Sequence, residues 1–97
     1  LPPLGSDGTQ PVFHLFTVRC ERRDKLAAHL KRRGVGSGVY YPLPVHLQPA
    51  YAAWGGREGQ FPVSERASGE VLSLPMFPEL SDADHARVCE AVRGFFR

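Results

Sequence analysis

Cysteine, lysine and net charge are all scarce in this sequence, and each shortage excludes a class of protein. The two cysteines show no CxxC or HxxxH spacing, so a structural zinc site has little support. They could pair, but in a chain with no secretion pattern free thiols are the better expectation. A formal net charge of +2 is too small to indicate nucleic-acid binding, and no apolar run approaches the roughly 20 residues that cross a bilayer. We therefore expect a cytoplasmic protein with no metal and neither a nucleic-acid nor a membrane partner.

The scarcity of lysine bears on catalysis. Lys25 and Lys31 are the two lysines, and both fall in a predicted amphipathic helix, away from any loop motif that would suit a Schiff-base lysine. The sequence has no GxSxG motif, and the glycine-rich residues 36–38 do not precede a helix start, which a phosphate-binding loop needs. From its residues alone, we predict no catalytic residue in this chain.

The chain is short and opens in a segment of different character. Its 97 residues, 42% of them hydrophobic, predict one globular domain with a thin core. Residues 1–11 are rich in proline and glycine, which indicates a linker. The only methionine is Met76, so we expect residues 12–97 to be one domain of a longer polypeptide, although a processed chain would show the same pattern.

Hydrophobic patterning predicts alternating strands and helices. In chain order, the predicted elements are strand 12–19, helix 24–33, strand 35–41, a short helical turn at 48–54, helix 62–70, strand 71–74 and a last helix after Ser81. Gly34 suits the left-handed position after the first helix, and Ser81 opens a capping box. The order β-α-β, long loop, α-β-α predicts an α/β fold (α+β, two layers), with helices packed on a small mixed β-sheet of about three strands.

The segment 40–51 has the composition of a binding surface. It holds three tyrosines, one histidine and three prolines, and the prolines exclude both a continuous helix and a central strand. A stiff loop with aromatic rings and polar tips suits the lining of a site. The candidate binding residues are Tyr40, Tyr41, His46 and Gln48. By default such tyrosines are amphipathic packing residues, so both interpretations of the loop stay open.

The remaining histidines and the basic cluster have structural interpretations. His14 lies between apolar neighbours in a predicted strand, which favours a hydrogen-bonded core histidine. His29 and His85 fall on helices at solvent-facing or edge positions, so we expect no role for them. The basic residues cluster within 19–33. Lys31, Arg32 and Arg33 close the first helix and complement its dipole, so the basic run is interpreted as a capping and solvation feature rather than an anion site.

Five blocks of the sequence occur in a specific order and spacing. They are residues 12–16 (VFHLF), residues 26–31 (LAAHLK) with Gly34, residues 36–51 (GSGVYYPLPVHLQPAY), residues 61–67 (FPVSERA) and residues 71–80 (VLSLPMFPEL). No single block is decisive, but five in series are specific. Together they resemble the C-terminal part of the DegT/DnrJ/EryC/StrS-type sugar aminotransferases, a family of fold-type-I enzymes that use pyridoxal phosphate.

The resemblance implies a role for this chain within a larger enzyme. In that family a large N-terminal domain holds pyridoxal phosphate and its Schiff-base lysine, and a small C-terminal domain closes over the active site. The implied reaction is transfer of an amino group from glutamate to a keto-sugar nucleotide, by an enzyme that is a homodimer. The piece itself would bind no cofactor and have no activity. Its Tyr40, Tyr41, His46 and Gln48 would hydrogen-bond sugar or phosphate oxygens of the substrate.

Two alternatives to this interpretation stay open. Some members of the family are dehydratases rather than aminotransferases, and what separates the two lies mainly in the large domain. The other alternative is a stand-alone, non-catalytic binding or regulatory module that has the same fold.

Overall fold

The computed structural model describes residues 8–10 and 12–97. The linker predicted over residues 1–11 therefore lies outside the described residues, apart from residues 8–10. Within the described part of the chain, two strands, three α-helices and two 3-10 helices follow one another. In chain order they are β1 (Phe16–Arg19), α1 (Arg23–Arg32), the first 3-10 helix (Val45–Leu47), the second 3-10 helix (Pro49–Trp54), α2 (Pro62–Glu70), β2 (Val71–Leu74) and α3 (Asp82–Phe96).

The sheet is built around β2. β1 pairs with β2 in an antiparallel register that sets Phe16 opposite Leu74. On the other edge of β2, the Gly38 N–H donates to the Ser73 carbonyl at 3.0 Å, and the Gly38 carbonyl accepts from the Ser73 N–H at 2.7 Å. Because β1 and Gly38 are both antiparallel to β2, they run in the same direction on either side of it. The chain crosses between them through α1, as predicted for strands that a helix connects.

The predicted α/β fold is confirmed, but its sheet is smaller than expected. The described residues contain two antiparallel strands rather than a mixed sheet of about three. The first strand begins at Phe16 rather than at Val12, because its partner β2 ends at Leu74, directly opposite Phe16. Residues 35–41 contribute only the bridge at Gly38, since glycines weaken an extended strand.

The hydrophobic core lies between the sheet, α1 and α3. Leu26 and Leu30 of α1 and Leu72 of β2 are fully buried, and burial of a leucine side chain stabilises a fold by about 1.5–3 kcal/mol. The other buried apolar residues of this core are Val35, Val88 and Ala91. Because successive residues of a strand point to opposite faces, Leu72 faces this core whereas Val71 faces a cavity on the other side.

The predicted helix ends are confirmed. Ser81 is the N-cap of α3, and its hydroxyl accepts a hydrogen bond from the Asp84 N–H at 3.1 Å. Gly34 follows α1 in the left-handed conformation, with φ at +72°. α2 begins with Pro62. The first N–H groups of a helix have no partner within the helix, so proline, which lacks an N–H, loses no hydrogen bond at this position. Among the described residues, no helix is long and apolar enough to cross a membrane.

Two histidines lie in surroundings that the sequence did not predict. His14 is exposed and precedes β1, so the prediction of a core histidine is wrong. His29 is half-buried, with its Nε2 at 3.1 Å from the Ala91 carbonyl and its ring edge-on against Phe95, and it thereby connects α1 to α3. The two cysteines are free thiols, as predicted.

Candidate functional site

An open cavity of about 920 Å³ lies between the proline-rich loop and α2. Its walls come from residues 40–61, which include both 3-10 helices, from α2 and from the first residue of β2. Among the described residues, those that line it are aromatic, aliphatic or neutral and polar, and none is lysine, arginine, aspartate or glutamate. A largely apolar cavity with a few hydrogen-bonding groups is typical of a site for an organic ligand.

Tyr40 and Tyr41 form one wall of the cavity. Both are exposed, Tyr41 to 73%, and their rings meet edge to face with 5.8 Å between centroids. The Tyr40 ring lies directly over Gly38, where a Cβ would overlap the ring. Glycine at this position therefore lets the Tyr40 ring fold back against the edge of the sheet.

His46 also lines the cavity and is held in place by three contacts. Its side chain is only 12% exposed, and its Nε2 lies 2.9 Å from Oε1 of Glu65. The Phe61 ring packs edge-on against the imidazole, with 4.8 Å between ring centroids. Gly56 approaches the backbone of His46 so closely that a Cβ on Gly56 would overlap the His46 carbonyl oxygen. A carboxylate, a ring and a backbone contact thus restrict the imidazole.

Glu65 is itself held by the loop that precedes α2. Its Oε2 accepts a hydrogen bond from the Gly59 N–H at 2.9 Å, and its Oε1 accepts one from the Phe61 N–H at 3.0 Å. The bond from Gly59, followed by that from Phe61, lowers the pKa of the Glu65 carboxyl below its usual value; partial burial opposes this shift, and His46 adds a smaller lowering effect. Glu65 is therefore ionised at neutral pH, and an ionised carboxylate only accepts hydrogen bonds.

The second 3-10 helix supplies the remaining aromatic surface. Tyr51 and Trp54 pack together with 4.9 Å between ring centroids, and both line the cavity. Trp54 is 82% exposed. Just before this helix, the Gln48 amide nitrogen donates to the Leu43 carbonyl at 3.3 Å, which orients the amide and connects the helix to the loop.

The structure brings together the four residues that the sequence singled out. Tyr40, Tyr41, His46 and Gln48 all line this one cavity. The four residues lie within one segment of nine residues, and the first 3-10 helix lies between Tyr41 and Gln48.

Sequence reasoning missed the residues that hold His46 in place, namely Gly56, Phe61 and Glu65. Glu65 did have a local signal, since a glutamate in the first turn of a helix can reach back to the backbone N–H groups that precede it. Nothing in the sequence singled out Gly56 except that it is one of two adjacent glycines. Its approach to His46 depends on how the loop folds.

Comparison with known proteins identifies the family. Residues 2–93 match the sequence profile of the DegT/DnrJ/EryC1/StrS aminotransferase family. The chain belongs to this family. The resemblance drawn from the five sequence blocks is thereby confirmed.

Curated relatives of this aminotransferase-family chain are several times longer than it is. It is 50% identical over 95 residues to a pleiotropic regulatory protein of Geobacillus stearothermophilus, covering 98% of this chain and 26% of the relative. It is 50% identical over 91 residues to the dTDP-3-amino-3,4,6-trideoxy-alpha-D-glucose transaminase of Streptomyces venezuelae, covering 94% of this chain and 24% of the relative. The chain thus spans about a quarter of the length of the relatives that it matches.

A solved structure shows the same aminotransferase-family fold. The X-ray structure of S. venezuelae DesV in complex with a ketimine intermediate superimposes with a TM-score of 0.85 at 50% identity, covering 89% of this chain and 23% of that chain. A DegT DnrJ EryC1 StrS aminotransferase from Brucella abortus superimposes with a TM-score of 0.76 at 42% identity, covering 84% of this chain and 22% of that chain.

The lysines of this family member are not placed to attach pyridoxal phosphate. A Schiff base needs a lysine beside the cofactor, but Lys25 and Lys31 are both exposed on α1 and neither lines the cavity. Among the described residues, the cavity also has no lysine or arginine to balance a phosphate. No reaction step can be assigned to the cofactor on this chain alone.

The basic cluster of this family member is occupied by contacts within the chain. Arg19 donates from Nε to Glu70 Oε2 at 2.9 Å, and the Arg22 guanidinium lies 4.7 Å from the centre of the Phe95 ring. Arg23 donates to two backbone carbonyls where α2 meets β2. These contacts give Arg19, Arg22 and Arg23 a structural role within the chain.

Proposed function

We propose that residues 12–97 form the C-terminal small domain of a pyridoxal-phosphate-dependent aminotransferase that acts on keto-sugar nucleotides. The amino donor is glutamate, and the full-length enzyme is a cytoplasmic homodimer. One observation carries the proposal. A cavity of about 920 Å³, lined by neutral polar and aromatic side chains, occurs in a family chain that matches a quarter of a dTDP-sugar transaminase.

The cavity suits the sugar and the base of a sugar nucleotide, and the charge of the diphosphate is left to groups outside this cavity. Its volume falls within the range of about 300–1,000 Å³ that is typical of ligand sites. Hydroxyl, imidazole and amide groups can hydrogen-bond sugar hydroxyls and phosphate oxygens, and the faces of aromatic rings can pack against the sugar or the base. The substrate contacts are proposed to come from Tyr40, Tyr41, His46 and Gln48.

The role of these residues is to bind and orient the substrate. The hydroxyls of Tyr40 and Tyr41 donate to oxygens of the sugar nucleotide, and His46 and Gln48 are restrained by Glu65 and by a backbone carbonyl. Holding the reacting carbon in one place lowers the entropic part of the barrier. The electron sink belongs to pyridoxal phosphate, bound by the part of the enzyme outside this chain.

The exposed apolar surface supports a large partner domain. Seven of the large apolar or aromatic side chains that the structure shows as exposed lie between residues 40 and 63. Isolated exposed apolar residues are ordinary, but a concentration beside a cavity marks an interaction surface. The radius of gyration of 15.9 Å also exceeds the roughly 13 Å of a compact domain of about 100 residues. We assign the surface to the N-terminal large domain of the same enzyme.

An assay of amino transfer tests the proposal. The substrates are glutamate and a dTDP- or UDP-linked keto sugar, and the proteins are the 97-residue chain and the same chain extended at its N-terminus to the length of its relatives. We expect transfer by the extended polypeptide with pyridoxal phosphate and none by the short chain. Transfer by the short chain, or dehydration of the sugar by the extended one, would overturn the proposed activity.

Matched histidine variants test the assignment of the site. In the extended polypeptide, His46→Gln should weaken binding of the nucleotide sugar by about two- to tenfold, the equivalent of one neutral hydrogen bond. His85→Gln, at an exposed position of α3, should leave binding unchanged. Equal effects of the two substitutions would argue against a substrate contact at His46.

A second candidate function is a stand-alone binding or regulatory module. The name of the G. stearothermophilus relative, a pleiotropic regulatory protein, favours it. This function predicts that the 97-residue chain binds a nucleotide sugar tightly by itself, and that Tyr41→Ala and His46→Ala abolish binding. Isothermal titration of the short chain with dTDP- and UDP-linked sugars distinguishes the two candidates.

A further inference from the structure

We propose that Glu65 is a positioning residue that fixes the His46 imidazole as the Nε2–H tautomer and leaves Nδ1 as a hydrogen-bond acceptor for a hydroxyl of the bound ligand. The identity of that ligand as a sugar nucleotide rests on the proposed function. The tautomer and its cause rest only on the contacts of this chain.

The first argument is the chemistry of the carboxylate. Glu65 accepts hydrogen bonds from the Gly59 and Phe61 N–H groups, which occupy both of its oxygens and favour its ionised form. An ionised carboxylate has no proton to donate, so the nitrogen 2.9 Å away must be the donor. In a neutral imidazole whose Nε2 carries the proton, Nδ1 is an acceptor.

The second argument is the rigidity of the arrangement. Backbone donors on two residues of the loop hold the Glu65 carboxylate, so it cannot swing away from His46 without breaking them. Phe61 supports the imidazole ring from the side, and Gly56 closes on the His46 backbone. A side chain restrained from several directions keeps one orientation towards the cavity.

The third argument is the place of Glu65 in the chain. It lies in the first turn of α2, whereas His46 lies in the first 3-10 helix, 19 residues earlier. The same carboxylate also holds the loop between these elements through Gly59. One side chain therefore joins three segments of the cavity wall. If Glu65 only capped the start of α2, its hydrogen bond with the Phe61 N–H would be sufficient. The bonds with Gly59 and His46 would not be needed.

Nuclear magnetic resonance of the 97-residue chain tests the tautomer directly. Long-range ¹H–¹⁵N spectra distinguish a protonated from an unprotonated ring nitrogen, and they are recorded with the imidazole in its neutral form. We expect His46 with a protonated Nε2 and an unprotonated Nδ1, without a detectable second tautomer. A protonated Nδ1 in the neutral ring of the unsubstituted chain would overturn the proposal.

Two substitutions then test the cause. Glu65→Leu keeps a side chain of similar size but removes the acceptor that favours a proton on Nε2, so the Nδ1–H tautomer should become populated. Glu70→Leu is the matched control, because Glu70 ends the same helix and pairs with Arg19 rather than with a cavity residue. If His46 keeps one tautomer in a folded Glu65→Leu chain, Glu65 does not determine it.

Two further measurements distinguish a variant that does not fold from a failure of the proposed function. The methyl resonances of Leu26 and Leu72 report whether Glu65→Leu still folds; if it does not, the tautomer of the unsubstituted chain decides the proposal alone. Titration of the extended polypeptide with a dTDP-linked sugar reports the proposed function. Absence of binding with the expected tautomer would reject the nucleotide-sugar site but leave the positioning role of Glu65 in place.

Discussion

The part of the chain formed by β1, α1, β2 and α3 buries most of its leucines, whereas the part from residue 40 to residue 70 leaves most of its aromatic rings exposed. We call these the core half and the cavity half. All the fully buried large side chains of the described residues lie in the core half. The cavity half is held by polar contacts such as that between His46 and Glu65, and by a close backbone approach at Gly56.

This difference shows how stability and binding are divided within one small chain. Apolar burial is the main favourable contribution to folding, so the core half determines whether the chain folds. The cavity half contributes little burial and keeps its ring faces and hydroxyls available for a ligand and a partner domain. Substitutions in the two halves should therefore differ in size and in kind.

The largest expected effect is a leucine truncation in the core half. Leu30→Ala removes a side chain with 0% exposure and should lower the free energy of unfolding by about 2–5 kcal/mol, through lost transfer energy and a residual cavity. Leu43→Ala is the matched control in the cavity half, where the side chain is 38% exposed and the loss should be much smaller. Urea unfolding followed by circular dichroism measures both, and equal losses would remove the distinction between the halves.

The second-largest effect is expected at Arg23, which connects the core half to the cavity half. Arg23, whose side chain is 11% exposed, donates from Nη1 to the Ser68 carbonyl at 3.1 Å and to the Val71 carbonyl at 3.0 Å. Arg23→Met keeps the length but not the donors, and should cost about 1.5–3 kcal/mol of unfolding free energy. Arg32→Met, on the exposed face of the same helix, should cost far less. Similar losses for both variants would mean that charge on α1, and not these two bonds, matters.

A pair of glycine substitutions sharpens the comparison within the cavity half. Gly56→Ala forces a Cβ onto the His46 carbonyl and should cost about 1–3 kcal/mol. Gly69→Ala in α2 meets nothing within 4 Å and should stabilise the chain by about 0.5–1 kcal/mol, because alanine is the better helix former. Unfolding experiments give both values, and the His46 resonances should move only in Gly56→Ala. A tolerated alanine at position 56 would contradict the close approach.

The smallest effect is the pH dependence of Glu65. Its folded-state pKa lies below the usual value, so the ionised form favours the folded state. The contribution is complete above the unfolded-state pKa, about 4.3 for glutamate, and is lost as the pH falls through the folded-state pKa. The difference in unfolding free energy between the unsubstituted chain and Glu65→Gln should therefore shrink in this acidic window. Exposed Glu58→Gln provides the control, and a difference constant with pH would contradict the lowered pKa.

Local patterns predicted much of the fold. The bounds of α2 and β2 agree with the sequence, because a proline at the first turn and another after the strand act on their immediate neighbours. The cap at Ser81 and the left-handed Gly34 are local as well. The first strand was predicted four residues too long, because its length depends on where a distant partner ends.

The candidate site was predicted by residue type rather than by geometry. Tyr40, Tyr41, His46 and Gln48 lie close together in the sequence, so one loop could be recognised as a binding surface. The residues that restrain His46 lie up to 19 positions away and were not found, because their side chains approach it only after the loop has folded.

By itself, the sequence determined the family, the helices and their ends, and the loop that carries the candidate binding groups. These depend on composition, on spacing and on contacts within a few residues. Only the tertiary structure decided the number of strands, the cavity between the loop and α2, and the bond from His46 to Glu65. The physical reason is that strand pairing, cavity shape and a hydrogen bond between distant side chains all depend on how separate segments pack, which no local pattern specifies.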